Sequence, residues 1–232
     1  MQMTRLFLVL TCLHLVFGAR MLRACDLALV LAVDVSGSVD IDEYRIQMDG
    51  LAAALRDGII AEALVRGEAR VAVIQWSGSG RQELSLPWVA ISDFSDVDRL
   101  SNEISGLPRP WRNFATGIGE ALELALAQFS AVPDCRRRLI DVSGDGFSNE
   151  GVAPGDVHPA LRAAGVTVNA LAIEDSEPAL TDYFFEEVIT GEGAFVQTAA
   201  TFEEYPDAIR QKLLREVAEQ TAGLPGEGLR RN

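Results

Sequence analysis

Histidine and cysteine are scarce in this sequence, with 2 His and 3 Cys among 232 residues. Zinc sites of the His/Cys type need about three or four such residues together, so counting excludes them. His14 lies in an apolar segment that we expect to be removed, which leaves His158 as the only base for a Ser-His-Asp triad. His158 precedes Pro159 at a predicted helix start, where we expect it to be a surface capping residue and not a catalyst.

Positive charge is also scarce, because 20 Lys and Arg stand against 34 Asp and Glu, a formal net charge of −14. This balance argues against binding to nucleic acids and to anionic membrane surfaces. The chain contains no internal repeat, domain linker or low-complexity segment, and 48% of its residues are hydrophobic. The composition therefore predicts one globular domain, since this length is sufficient for one well-buried core.

The apolar run at residues 6–17 is too short to span a membrane. It follows the single basic residue Arg5 and precedes small residues at Gly18 and Ala24, which is typical of a secretory signal peptide. We therefore predict a signal at residues 1–24, cleaved near 18–24, and export to the periplasm or the extracellular space without membrane insertion. An uncleaved anchor is the alternative.

Two cysteines, Cys25 and Cys135, remain after removal of the signal that contains Cys12. An even number of cysteines in an exported protein favours a disulfide. Cys25 precedes Asp34 by nine residues, and Cys135 precedes Asp145 by ten. If both segments are neighbouring parallel strands, the two cysteines start side by side, close enough to bond. Two free thiols are the alternative.

Apolar strand patterns alternate with helical patterns along the whole chain. This order predicts an α/β fold with a doubly wound, mostly parallel six-stranded sheet, one antiparallel edge strand and helices on both faces. The predicted domain covers residues 25–219, and the Gly/Pro-containing residues 220–232 are predicted to be a disordered tail. The predicted strands are residues 26–33, 70–76, 82–89, 136–142, 166–173 and 194–197. A predicted helix with Tyr44, Met48, Leu51 and Leu55 on one stripe follows the first strand.

Oxygen-bearing side chains follow the predicted strand ends. Asp34, Ser36 and Ser38 come directly after a fully apolar strand, Thr116 starts a helix, and Asp145 follows the strand at 136–142. Loops at the carboxyl ends of parallel strands form the binding crevices of open α/β sheets. Carboxylates and hydroxyls are hard donors that suit Mg²⁺ or Mn²⁺ better than zinc.

Asp141 competes with Asp145 for the role of the third-loop ligand, because Asp141-Val-Ser-Gly-Asp145 repeats the spacing of the first loop. We favour Asp145, which lies at the strand end beside Gly146 and matches the cysteine spacing. Asp141 would lie about four residues earlier, inside the strand.

The pattern resembles the von Willebrand factor A domain and its metal-ion-dependent adhesion site (MIDAS). The family motif is Asp-x-Ser-x-Ser, a distant Thr, and an Asp-Gly after a hydrophobic strand, and the resemblance covers roughly residues 26–218. The matching positions here are Asp34, Ser36, Ser38, Thr116 and Asp145. The chain departs from the usual Thr-Asp-Gly at Ser143-Gly144. Residues 25–39 and 135–146 also resemble a bacterial subfamily of exported A-domain proteins.

The resemblance implies a non-enzymatic domain that binds Mg²⁺ or Mn²⁺ at these five residues and recognises the Asp or Glu carboxylate of a protein partner. Trp111 and Arg112, just before Thr116, are candidate partner contacts, because Trp and Arg often carry binding energy. For Trp111 a role as a structural plug is the alternative. In some A domains the last helix moves when the metal takes a ligand, and a fixed helix is the alternative here.

Two other functions remain open. An envelope scaffold would use the metal only structurally, and a metal-dependent hydrolase would need a general base, for which only Asp141 and Glu150 are available. A haloacid-dehalogenase phosphatase would use Asp34 as nucleophile but requires a second Asp where this chain has Ser36.

Overall fold

The structure of the chain, a computed structural model, describes residues 25–112 and 114–222, with side-chain surroundings described through Ala218. The predicted signal at residues 1–24 lies outside the described residues, as does the predicted tail beyond residue 222. The last helix runs to Ala222, so the first residues of the predicted tail are helical. Within the described part, no helix has both the length and the apolar character needed to cross a bilayer.

Six strands form one sheet in the order β3-β2-β1-β4-β5-β6. All neighbouring strands are parallel except β2 and β3, which are antiparallel, so the predicted fold class is confirmed. The strands are β1 (Leu27–Asp34), β2 (Arg70–Trp76), β3 (Gln82–Ala90), β4 (Arg137–Gly144), β5 (Val166–Ile173) and β6 (Val196–Ala199).

Helices cover both faces of the sheet. They are α1 (Ile41–Leu55), α2 (Gly58–Arg66), α3 (Phe94–Ser105), α4 (Ile118–Gln128), α5 (Pro154–Ala163), α6 (Leu180–Tyr183, continued by the π-helical turn Phe184–Val188) and α7 (Tyr205–Ala222). One core packs α1, α2, α3 and α7 on one face, and a second core packs α4, α5 and α6 on the other.

The helix predicted through Leu55 is confirmed as α1, but the second helix, α2, was not predicted. The chain breaks after α1, and the Asp57 carboxylate caps α2 by accepting hydrogen bonds from the backbone N–H of Ile59 and Ile60. An Asp before an apolar run is a helix-start signal that can override the continuation of the preceding helix.

Strand β1 explains how the sheet positions its loops. Every residue of β1 is buried, and alternate side chains enter the two cores, with Leu29 and Leu31 on one side and Val30 on the other. A strand covered on both faces needs this continuous apolar sequence. The pairing Val33↔Ser143 brings the ends of β1 and β4 together, and with them the loops that follow.

A disulfide joins Cys25 to Cys135 at the opposite end of these two strands. The backbone N–H of Arg136 donates to Cys25 O at 2.9 Å, so the strand starts are also paired by the main chain. The structure thus contains the disulfide that the cysteine spacing predicts.

Three charged side chains are buried between α7 and the sheet. The Nζ of Lys212 lies 2.6 Å from Asp141 Oδ1 and 2.7 Å from Glu216 Oε1, and the side chains of all three are at most 2% exposed. Asn169 on β5 donates to Glu216 Oε1 at 2.9 Å. The carboxylate of Asp141 therefore points into this buried triad under α7, inside β4 as expected.

Stability of the fold should depend on pH through Glu216. Burial raises the pKa of this carboxyl to about 7, with the Asp141 charge adding to the rise and Lys212 opposing it. Because the folded pKa lies above the ordinary value of 4.5, the stabilisation is complete below pH 4.5 and is lost as the pH rises towards 7. The free energy of unfolding of the wild type should therefore fall between pH 4.5 and 8. In Glu216→Gln this fall should be smaller by roughly 2 to 3 kcal/mol.

The measurement is denaturant unfolding of both proteins across this pH range. The exposed Glu62→Gln on α2 is the matched control and should leave the wild-type profile unchanged. Asp34, described below, changes stability in the same direction, so the difference between wild type and Glu216→Gln is the relevant quantity. Parallel pH profiles for the two proteins would contradict the expectation.

Candidate metal centre

Asp34 ends β1 and is completely buried. Its Oδ1 accepts a hydrogen bond from the backbone N–H of Ser36 at 2.7 Å, which turns the chain sharply after the strand. Its Oδ2 is buried and has no hydrogen-bond partner among the described residues. A buried carboxylate oxygen without a donor is costly in free energy, and a bound cation would offset that cost.

The five predicted metal ligands come together at this point. Ser38 Oγ donates to Asp145 Oδ1 at 2.6 Å and lies 3.2 Å from Ser36 Oγ. Thr116 Oγ1 lies 3.4 Å from Ser36 Oγ. Three separate loops thus converge, as the positions of their residues at the strand ends and the helix start predict.

The loop of Thr116 is held by the loop that follows β4. Thr116 N donates to Asn149 Oδ1 at 3.0 Å, and Asn149 N donates to Thr116 O at 2.9 Å. Sequence reasoning missed Asn149, because the contact joins loops 33 residues apart and leaves no local pattern.

The electrostatics of the centre favour a cation. Burial, reinforced by the charge of Asp145, raises the pKa of Asp34 to about 8. Burial also raises the pKa of the Asp145 carboxyl. The nearby guanidinium of Arg109 lowers both values but does not offset the burial. A divalent cation would stabilise two carboxylates that are held together out of water.

The donor set fits a hard cation. Among the described residues, no group of three or more His, Cys, Asp and Glu could hold a metal. A cation held by Asp34 and Asp145 would therefore need hydroxyl oxygens as its other side-chain ligands. A Cβ at residue 144 would lie only 3.1 Å from Asp34 Oδ2 and 3.4 Å from Trp76 Cη2. The unusual Gly144 therefore leaves space beside the unpartnered oxygen that a larger residue would fill.

A cavity of about 410 Å³ opens over these donors. Ser38, Asp145 and Thr116 line it together with two phenylalanines, Phe114 and Phe147. Phe114 is 40% exposed, and the guanidinium of Arg81 stacks 3.8 Å from its ring centroid. Sequence reasoning missed these aromatic neighbours, although each lies within two residues of a proposed ligand.

The two predicted partner contacts lie elsewhere. Trp111 is partly buried and packs against the core of α1, α2, α3 and α7, which agrees with the plug alternative. Arg112 is exposed and lines a different cavity, beside α1. Neither residue lines the cavity over the five donors.

The sequence matches the family described as "protein of unknown function (DUF1194)" over residues 24–221. No curated protein matches it. Among solved structures, proximal thread matrix protein 1 from the mussel byssus, with a zinc-occupied MIDAS motif, is similar with a TM-score of 0.64 and 22% identity. That match covers 84% of this chain and 49% of the mussel chain.

Two bacterial structures are similar over the same share of the chain. The von Willebrand factor type A protein of Catenulispora acidiphila has a TM-score of 0.59 and 16% identity, covering 84% of this chain and 43% of that one. The pilus adhesin SpaC of Lactobacillus rhamnosus GG, in its open conformation, has a TM-score of 0.57 and 15% identity. That match covers 84% of this chain and 30% of the adhesin chain. This chain thus spans half of these proteins or less.

At these identities the solved structures establish the fold, and activity has to be argued from the site. The family match, in contrast, extends over most of the chain. The chain belongs to the DUF1194 family, and its fold is that of a von Willebrand factor A domain.

Proposed function

We propose that this protein is an exported interaction domain that binds Mg²⁺ or Mn²⁺ through its MIDAS-like centre and recognises a protein partner there. The observation that carries the proposal is the buried, unpartnered Oδ2 of Asp34, within a centre shared with Asp145 and three hydroxyls. Such an atom is expected where a metal ligand lacks its metal.

Each residue has a defined part in this centre. Asp34 and Asp145 supply the negative charge, and Ser36, Ser38 and Thr116 supply neutral oxygens. A divalent cation bound by only two carboxylates remains a strong Lewis acid and accepts a further carboxylate oxygen from outside. The cavity above the donors is the side from which an Asp or Glu of a partner would approach.

A non-enzymatic role is supported by the positions of Asp141 and Glu150, the two residues that a hydrolase could use as a general base. Asp141 is paired with Lys212 under α7 and lies away from the loops. Glu150 accepts a hydrogen bond from the backbone N–H of Ser79 at 2.8 Å and stabilises a turn. Export is supported by the disulfide, because such bonds persist in oxidising compartments.

Asp145→Ala should abolish saturable cation binding while the fold survives, and Asp34→Ala should do the same. Each variant removes one of the two carboxylates that would bind the cation. Asp145→Ala also removes the charge that adds to the effect of burial on the raised pKa of Asp34. The measurement is isothermal titration of Mn²⁺ and Mg²⁺ into chelator-treated protein, with circular dichroism to verify folding.

The matched control is Asp182→Ala, an exposed aspartate of α6 that lies outside the five-residue centre. It should bind as wild type does. One-site binding by wild type and the control alone supports the proposal, whereas unchanged binding by Asp145→Ala overturns the assignment of ligands.

A purely structural metal is less favoured, because protein groups already hold the loops. The backbone N–H of Gly37 donates to Phe114 O at 2.8 Å, and Asn149 fixes the loop of Thr116. If the metal were only structural, its removal by a chelator would greatly lower the free energy of unfolding, because the binding free energy of the metal would contribute to folding.

A further inference from the structure

A second cavity, also of about 410 Å³, lies between the first half of α1 and the turn at residues 107–112. Leu107 contributes apolar surface to it, whereas the lining residues Tyr44 and Met48 are at most 5% exposed. Arg109 and Arg112 contribute guanidinium groups. Ile41, another lining residue, is 44% exposed although it is a large hydrophobic residue. We call this cavity the arginine cleft.

The arginine cleft adjoins the metal centre through Arg109. Its Nη2 donates to Ser36 O at 2.6 Å and to Val35 O at 3.2 Å, the carbonyls of the loop that carries Asp34 and Ser36. One loop thus separates the cleft from the five donors. A partner segment that reaches the metal can reach the cleft as well.

Part of the positive charge of the cleft has no carboxylate partner. Several exposed arginines elsewhere do pair with carboxylates, as in Arg99–Asp96 at 2.6 Å and Arg210–Asp57 at 2.8 Å. Arg112 has neither an ion pair nor a hydrogen bond among the described residues, and Arg109 bonds only to carbonyls.

Other charged side chains line the cleft as well. The cleft also contains Arg45, 3.9 Å from Asp42 at the surface, and one acid, Asp49. Because Arg45 pairs with Asp42, Arg109 and Arg112 supply the remaining positive charge of a lining that contains one acid, Asp49.

We propose that the arginine cleft binds an acidic segment of the protein partner, with a carboxylate between Arg109 and Arg112 and a neighbouring aliphatic side chain on the apolar lining. This proposal rests on the proposed function in that the same partner reaches the metal. A peptide fits better than a free anion, because only a peptide uses the apolar surface next to the charges. Bidentate arginine–carboxylate contacts beside apolar anchors are common centres of binding energy.

The test uses two short probes, N-acetyl-Leu-Asp-amide and its uncharged analogue N-acetyl-Leu-Asn-amide. Each is titrated into the ¹⁵N-labelled full chain in chelator at low ionic strength, and amide shifts are followed by NMR. We expect saturable shifts at residues 41–49 and 107–112 with the Asp probe, and about tenfold weaker binding of the Asn probe.

Arg112→Gln should weaken binding of the Asp probe by a similar factor. It removes a guanidinium without breaking an ion pair or a hydrogen bond among the described residues. Arg66→Gln, which removes an exposed α2 arginine 3.8 Å from Glu62, is the matched control and should bind as wild type does. Equal binding of both probes, equal binding by Arg112→Gln, or shifts confined to other regions would overturn the proposal.

A separate titration with Mg²⁺ alone distinguishes this proposal from the proposed function. Shifts at the amides of Ser38 and Asp145 report the metal, and the chelator removes it from the cleft experiment. Cleft shifts without Mg²⁺ shifts would mean that the metal proposal fails while the cleft stands. Mg²⁺ shifts without cleft shifts would mean the reverse.

Discussion

Lys212→Met should lower the free energy of unfolding by about 3 to 5 kcal/mol at pH 8. Lys212 is the only lysine of the chain, and its side chain is fully buried between two carboxylates. Methionine retains most of the apolar stem but leaves Asp141 and Glu216 buried without a counter-charge. An uncompensated buried charge costs far more than the net contribution of the intact pair.

The measurement is reversible urea unfolding, with Arg215→Met as the control. Arg215 lies on the same helix but is exposed and stacks 3.7 Å from the ring centroid of Phe195, so its loss should cost about 1 kcal/mol or less. Combining Lys212→Met with Asp141→Asn and Glu216→Gln should restore much of the stability, because no net charge then remains buried. A loss below about 1 kcal/mol for Lys212→Met alone would contradict a charged triad.

Loss of the Cys25–Cys135 disulfide should lower the free energy of unfolding by about 4 to 5 kcal/mol. The bond closes a loop with a sequence separation of 110, and a cross-link over a long loop strongly restricts the unfolded chain. The double variant Cys25→Ala/Cys135→Ala and reduced wild type should both show this loss in denaturant unfolding. Equal midpoints for oxidised and reduced protein would contradict it.

Cation binding is the internal control for the disulfide variants. The bond lies at the start of β1, whose 8 residues extend about 25 Å to Asp34. Affinity for Mn²⁺ should therefore remain that of wild type at temperatures where the variants are folded. A parallel loss of affinity would mean that the bond also shapes the loops.

Much of the fold was predictable because the sheet is buried on both faces. The apolar sequence of β1 and the alternation of strands and helices define a parallel sheet, and the donor loops follow from the strand ends. Asp34, Ser36, Ser38 and Asp145 could be placed together because parallel strands end at one edge. Thr116 starts a helix, and the resemblance to the adhesion-site motif placed it with them. The break at Asp57 was missed because a capping residue inside a long helical pattern is a weak local signal.

The buried triad could not be predicted, because a lysine on a helix normally faces solvent. Lys212 and Glu216 directly precede the apolar residues Leu213 and Val217 of α7. From this spacing alone, the sequence does not show whether the two charged side chains face the sheet or the solvent. Only the tertiary position of Asp141 explains their burial. The partners of the donor loops, Asn149 and Phe114, were missed for the same reason, since their contacts join distant loops.

Both ends of the described chain leave the domain at the same pole. Cys25 is bonded to Cys135 at the start of β4, and Arg137, two residues later, donates to Glu216 O near the end of α7 at 3.1 Å. The donor loops lie at the other pole, where the strands finish. Immobilisation of the domain through either end of the described chain, for example on a sensor chip, would therefore leave the donor loops on the side away from the support.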